Sequence, residues 1–338
     1  MISSYESQYI HMLRAIYENG FSDGINERTK KETKRLPGVV LQVDVAEEFP
    51  ILKSKQVFGK TSLNEILWIW QQQSNNIKDL KAHIWDSWAD ENGSIGKAYG
   101  YLMSRPICIY TDPVHKTPES FRCYKNQADY ILEYLREFPN GRWGVATIWN
   151  PEELSGMNLV PCCHTSTWNL DGGRLNCVLD QRSGDMPYGV PFNTTQYAEL
   201  MILFARDLGV KPGILTHVIA DAHIYDNQMD GVRLQLAYVE LLSILEDIKR
   251  MGGDKTNEEF DKKLEEALKL RETLDIGEET ARYESVEALK SALNEAIDSD
   301  PRFVVDSEET NFFKVSADDC SVKGYSHMGK IDFGEVAV

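Results

Sequence analysis

The sequence predicts an α+β protein, a sheet backed by helices, on three observations. Short β-branched or alternating runs recur through the first two-thirds of the chain, amphipathic stretches of helical period lie between them, and residues 246–300 carry helical patterning alone. GVVLQVDV (38–45) is β-branched and partly alternating, which suits a half-buried strand. SLNEILWIW (62–70) places Ser62 and Glu65 at capping-box spacing ahead of an apolar run, a helix start. Between 126 and 138, Tyr130, Leu132, Leu135 and Phe138 fall on helix-like spacings. Further strands are expected at GVATIW (144–149), LNCVLD (175–180) and LTHVIA (215–220), with Gly172 and Gly173 marking a hairpin turn between two of them. From Thr194 to Leu208, the apolar Tyr197, Leu200, Met201, Phe204 and Leu208 share one helical face, and Gly209 is a C-terminal stop. The Glu- and Lys-rich stretch 246–300 reads as an acidic helical insertion within one domain spanning 1–338. In it, Thr256 and Glu259 open one helix (Phe260, Leu264, Ala267, Leu268), and Ser285 with Ala288 to Ile297 suggests another. The tail from Phe303 regains β character and ends in EVAV.

With 338 residues, 42% of them hydrophobic, the chain is long enough to bury a sizeable core. No run of about 18 uncharged apolar residues exists, and the N-terminal MISSYESQYIHML is polar throughout, so the expected location is the cytoplasm, or a host's cytoplasm if the chain is viral. Thirty-six basic against 53 acidic residues give a formal charge of -17, which opposes binding to nucleic acid or to acidic membranes. An anionic ligand must then meet a local arginine cluster. The six cysteines (Cys108, Cys123, Cys162, Cys163, Cys177, Cys320) show no CxxC or Cys/His metal spacing, so neither a metal site nor a disulfide framework is expected, and a reducing compartment fits.

Reactive side chains concentrate between Pro161 and Tyr225, in VPCCHT, DQRSGD, GVPFN and DAHIYDN: a cysteine pair beside a histidine, an Arg-Ser pair, an Asn in a Pro-rich turn and an Asp-x-His-x-Tyr set. Each alone has an ordinary structural reading, because a lone cysteine is usually a small buried hydrophobe. Together with HIWDSWADENG (83–93) and the C-terminal GYSHMGKIDFGEVAV, they resemble the signature segments of thymidylate synthases. The resemblance covers roughly residues 5–245 and resumes at the C-terminus. Its intervals, 13 positions from Trp149 to Cys162, 20 to Arg182 and 11 more to Asn193, fit the family pattern without a gap.

That resemblance implies a single catalytic domain built on a large mixed sheet packed with helices, dimerising through the sheet. It implies reductive methylation of dUMP to dTMP with 5,10-methylenetetrahydrofolate as cosubstrate, no metal, and a covalent cysteine–pyrimidine intermediate. Cys162 falls at the nucleophile, and its thiolate, scarce at an ordinary pKa of about 8.5, needs a nearby cation such as Arg182. Arg28, Gln181, Arg182 and Ser183 match substrate-binding positions, and Arg142 matches a phosphate contact supplied by the partner of a homodimer. Asn193 matches the amide that reads the pyrimidine, since a carboxamide accepts from N3–H and donates to O4 of uracil. His223 and Tyr225 match the pair at the ribose 3′-hydroxyl. Glu65 matches the proton-handling carboxylate, against the plainer reading that it only completes a helix cap with Ser62. Tyr99 resembles the tyrosine that assists loss of the C5 proton. Trp85, Trp88, Asp185 and Gly189 match folate contacts, the tryptophans otherwise being core aromatics; Lys55, read as a surface lysine, matches one toward the glutamyl tail, and Val338 matches the residue that closes over the site.

Three departures stand out. Cys163 occupies the usual histidine position; making it the nucleophile restores a Cys-His pair but opens a one-residue gap before Arg182. Trp143 replaces the second arginine of an Arg-Arg pair, and AYGYLM lacks the usual Lys-Gln-Trp. Two other functions stay open on sequence alone. One is a dUMP hydroxymethylase, in which water traps the exocyclic methylene; the other is a silent binding protein that docks through its acidic insertion.

Overall fold

One mixed sheet of six strands organises the chain. The protein is described from a computed structural model covering residues 2–22, 24–251 and 258–336. The strands are β1 (Thr33–Asp44), β4 (Val145–Thr147), β5 (Cys163–Asp171), β6 (Arg174–Gln181), β7 (Gly184–Asp185) and β8 (Lys211–Tyr225); β2 (Ile107–Tyr110) pairs β3 (Phe121–Tyr124), and β9 (Arg302–Val305) pairs β10 (Cys320–Lys323), as separate two-stranded sheets. The main sheet runs β1-β8-β6-β5-β4, antiparallel except where β8 meets β6 and β7. The helices are α1 (Ser4–Asn19), α2 (Gly59–Trp70), α3 (Gly100–Met103), α4 (Gln127–Glu137), α5 (Gly189–Leu208), α6 (Met229–Arg250), α7 (Glu258–Thr273) and α8 (Val286–Asp298). The α+β class is the predicted one.

Strand alternation sets the core. On β6, Leu175, Cys177, Leu179 and Gln181 are buried while their neighbours are partly exposed; Leu215, His217 and Ile219 do the same on β8. α5 packs on β6 and β8, with α2 against α5, so that Trp70 stands edge-on to Trp168 and Phe204, which tilt against each other. Gly209 ends α5 at φ 68°, a left-handed cap that glycine adopts without steric cost. Among the described residues no helix is long and apolar enough to cross a membrane.

The structure corrects several expectations. Ser62 and Glu65 form no capping box: α2 begins at Gly59, the Ser62 hydroxyl donates to Gly59 O and to Glu199, and Glu65 points elsewhere. The strand before the Gly172-Gly173 turn is β5, which carries CHTSTWNLD; its reactive residues hid its alternation. α5 starts at Gly189, so Asn193 lies on its first turns and not in a Pro-rich turn. Cys108 and Cys123 face each other across β2 and β3 and form a disulfide, because antiparallel register brings two residues distant in sequence into direct opposition. Among the described residues of the tail, only β9 and β10 are strands.

Of the stretch 246–300, residues 246–250 finish α6, and α7 and α8 pack against α6 through Phe260, Leu264, Leu289 and Leu293. Ser285 caps α8 by accepting from Ala288 N, whereas Thr256 lies outside the described residues. Between α7 and α8 the chain grips the C-terminal tail: Ala281 N donates to Lys330 O (2.8 Å), Asp332 N to Thr280 Oγ1 (3.0 Å) and the Tyr283 hydroxyl to Met328 O (2.7 Å), with Lys330 and Glu279 paired. Gly277 sits so close to Asp332 that a Cβ there would overlap its carboxylate. Gly277→Ala is therefore expected to push the tail off its seat at a cost of about 1–3 kcal/mol. Carboxypeptidase digestion checks this: C-terminal residues should be released several-fold faster than from the wild type, and equal rates would show that the tail is held elsewhere.

Candidate active site

Cys162 immediately precedes β5, and Arg182 immediately follows β6, its neighbour in the sheet. Arg182 N donates to Cys162 O (2.9 Å), its Nε to Pro161 O (2.9 Å) and its Nη2 to Val160 O (2.7 Å), while Nη2 lies 3.8 Å from Cys162 Sγ. One guanidinium thus binds the turn that presents the thiol and places positive charge beside the sulfur. Burial nevertheless raises the Cys162 thiol pKa; Arg182 and Arg28 pull it down and Asp185 pushes it up. The sequence expectation that neighbouring arginine favours the anion holds in direction, but desolvation outweighs it in the free protein. Cys163 is buried, with Sγ donating to Gln181 Oε1 at 3.2 Å, and its pKa lies well above the ordinary value because of burial.

Cys162 opens on a cavity of about 610 Å³. Eight of the residues singled out from sequence line it: Glu65, Trp85, Trp88, Tyr99, Cys162, Asp185, Gly189 and Asn193. Glu65 accepts from Trp85 Nε1 (3.0 Å), and burial lifts its carboxyl to about 7, with Trp85 and Gln196 working in the other direction. Trp85 stands edge-on to both Trp88 and Tyr99. Tyr99 adopts φ 45°, a strained backbone for a residue with a side chain, and the surrounding aromatic packing holds it there. Its hydroxyl accepts from Cys162 N at 3.4 Å. Asp185 Oδ2 accepts from Gln228 Nε2 (2.8 Å), and burial raises its pKa.

Cys163, the alternative nucleophile, also lines the cavity, and the remaining described candidates lie outside the lining. His223 is buried edge-on to Tyr225 at 4.9 Å, and the charges of Asp185, Arg28 and Cys162 all reach the Tyr225 phenol. The Gln181 side chain is committed inside the protein, its Oε1 meeting Cys163 Sγ and His217 Nε2 (2.7 Å) and its Nε2 donating to Ser183 O (2.8 Å). Arg28 and Arg142 are exposed in loops. Lys55 is not at the surface: it is buried under the rings of Tyr188 and Phe333, and burial lowers its pKa to about 8. Val338 lies outside the described residues. Trp143 stacks on Tyr134 and takes no part in the cavity.

Sequence reasoning missed Gln196, Tyr188 and the tail residues Lys330, Asp332 and Val336, all of which line the cavity. The Tyr188 hydroxyl accepts from Phe333 N (2.8 Å) and donates toward Asp332 and Gly334 O, pinning the tail across the opening. Gln196 had a signal, since it lies one helical turn beyond Asn193. Among the described residues no group of three or more His, Cys, Asp or Glu side chains is placed to hold a metal ion.

Comparison with known proteins agrees with this geometry. The family model described as "Thymidylate synthase" matches residues 7–248. A thymidylate synthase of Clostridium beijerinckii is 40% identical over 238 residues, covering 70% of this chain and 82% of the relative. Thymidylate synthase 1 of Bacillus subtilis (strain 168) is 35% identical over 246 residues, covering 70% and 84%. Among solved structures, the thermostable thymidylate synthase A from Bacillus subtilis superposes with a TM-score of 0.71 at 27% identity, over 99% of both chains. Fold and site together define a methyltransferase. The chain belongs to the thymidylate synthase family.

The buried Glu65 makes a measurable cost visible. Its folded-state value of about 7 lies above the ordinary 4.5, so the native protein holds a proton that the unfolded chain gives up between those pH values. The Glu65 contribution to stability is full below pH 4.5 and is lost as pH rises through about 7, to the extent of roughly 3 kcal/mol. Glu65→Gln is expected to remove that dependence and raise the melting temperature at pH 8. Denaturation curves at pH 5 and 8 check it: an unchanged difference between the two pH values would show that Glu65 is not held protonated.

Proposed function

We propose that the protein converts dUMP to dTMP, with Cys162 adding to C6 of the uracil ring and 5,10-methylenetetrahydrofolate as cosubstrate, yielding dihydrofolate. The observation that carries this reading is the position of Cys162 Sγ, 3.8 Å from the Arg182 guanidinium at the mouth of a cavity walled by Trp85 and Trp88. Aromatic walls and a half-buried carboxylate, Asp185, suit a flat pterin with polar edges, and the volume suits a small-molecule site. The folate, when bound, supplies the one-carbon unit and the hydride that reduces it.

The remaining work falls to residues of this chain. Deprotonated Cys162 forms the S–C6 bond and makes C5 nucleophilic; the same bond breaks at the end and returns the thiolate. Arg182 offsets the burial of that charge, and an incoming phosphate dianion would recruit Arg28 and Ser183 beside it. Glu65, with a pKa of about 7, can exchange a proton at O4 near neutral pH, and Tyr99 stands on the Cys162 side for removal of the C5 proton. His223 and Tyr225 face the ribose, and Asn193 faces the pyrimidine edge. Trp85 and the seated tail exclude water, which supports reduction of the methylene over its hydration. Residues 246–300 act as a prop for that tail, an addition to a single catalytic domain. The exposed Arg142 completes the phosphate site of a second copy, in a homodimer formed through the open face of the sheet.

Incubation with dUMP and methylenetetrahydrofolate should give dTMP and dihydrofolate; hydroxymethyl-dUMP with tetrahydrofolate would overturn the reductive outcome. Mass spectrometry after 5-fluoro-dUMP and folate should find the adduct on Cys162, and Cys162→Ser should lose turnover yet still bind dUMP. An adduct on Cys163 alone would reassign the nucleophile. The dimer has its own check. Cys162→Ser and Arg142→Ala chains, each inactive alone, should recover about a quarter of wild-type activity when mixed, because half the dimers then hold one complete site; no recovery would exclude a contribution in trans.

A further inference from the structure

Gln196 has no role in the scheme above, yet it is 2% exposed and borders the cavity between Asn193 and Glu65. Its amide has one determinate orientation. Gln196 Nε2 donates to the carbonyl oxygen of Ser62 (3.4 Å), a group that can only accept. Oε1 then faces Asn193, whose Nδ2 donates to it at 3.0 Å. Asn193 is left showing the cavity its Oδ1 and one remaining N–H. The carboxyl of Glu65 agrees with this polarity, since the Gln196 amide favours its charged form.

We propose that Gln196 is a positioning residue that locks the polarity of the Asn193 carboxamide and so makes the site accept a uracil edge and refuse a cytosine edge. This rests on the reading of the cavity as a pyrimidine-nucleotide site. Uracil presents N3–H and O4, a donor and an acceptor, and meets Asn193 as it stands. Cytosine presents the reverse, N3 as acceptor and N4–H as donor, and would require the Asn193 amide to turn over. A turned Asn193 brings Oδ1 against Gln196 Oε1. Turning Gln196 as well only moves the clash of acceptors to the Ser62 carbonyl, a backbone group that cannot turn. The relay runs from α2 to α5, and its Gln196–Ser62 link is buried, so a mismatch there is not relieved by water.

The test uses the full-length protein and two nucleotides, with equilibrium binding and kcat/KM measured for dUMP and for dCMP. Gln196→Met keeps the length of the side chain and removes both hydrogen bonds; the preference for dUMP over dCMP is expected to fall roughly tenfold or more, chiefly through binding and KM, with kcat changed less. Gln196→Glu, which can still accept from Asn193, should keep most of the preference. A purely structural role would weaken both nucleotides alike. If Gln196→Met does not fold, Gln196→Ala carries the same comparison. An unchanged preference in the folded variant overturns the role of Gln196 alone, whereas a wild-type protein that binds neither nucleotide overturns the functional reading beneath it.

Discussion

The active end of this protein depends on the single contact between Arg182 and the turn at 160–162. Two side-chain donors and one backbone N–H of Arg182 hold three successive carbonyls, and this positions the thiol of Cys162. An Arg→Lys change would keep the charge but lose the fork, since an ammonium on a flexible stem cannot span carbonyls and sulfur together. Sheet order explains why these residues meet. β5 and β6 are hairpin partners, so Cys162 before one strand and Arg182 after the other must lie side by side although 20 positions separate them.

The same burial that shapes the cavity works against its charges. Desolvation raises the pKa of Cys162, Glu65 and Asp185 and lowers that of Lys55, so each favours its neutral form more than in water. An anion arriving beside Arg182 and Arg28 competes with the sulfur for the same cations. Burial thus favours the thiol form of Cys162 while the two arginines favour the thiolate.

The sequence made the fold legible wherever one face of an element was apolar. The strands at 38–45 and 175–180 and the helix ending at Gly209 emerged because alternation or a 3.6-residue period reports burial directly. β5 escaped because its inward residues include Cys163 and Ser166, polar or reactive groups that break the apolar pattern. The apparent capping box failed because local spacing says nothing of what packs above: Trp85, distant in sequence, takes Glu65, and Glu199 takes Ser62. The cavity's chemistry came from spacing between motifs, which preserved register. What spacing could not give was burial, and so it placed Lys55 at the surface and left the pairing of Cys108 with Cys123 unseen.

The loss of the second arginine at Trp143 bears on how a phosphate can be held. In one protomer Arg182 has already committed Nε and Nη2 to backbone carbonyls, which leaves few of its five donors for a ligand. Trp143 cannot substitute, because its ring stacks on Tyr134 and its carbonyl accepts from the Tyr130 hydroxyl, fixing it to α4. On the proposed reading, the phosphate finds its remaining charge on Arg28 in its exposed loop and on Arg142 of a second copy. If the cations are divided in this way, nucleotide affinity depends on assembly of the second copy.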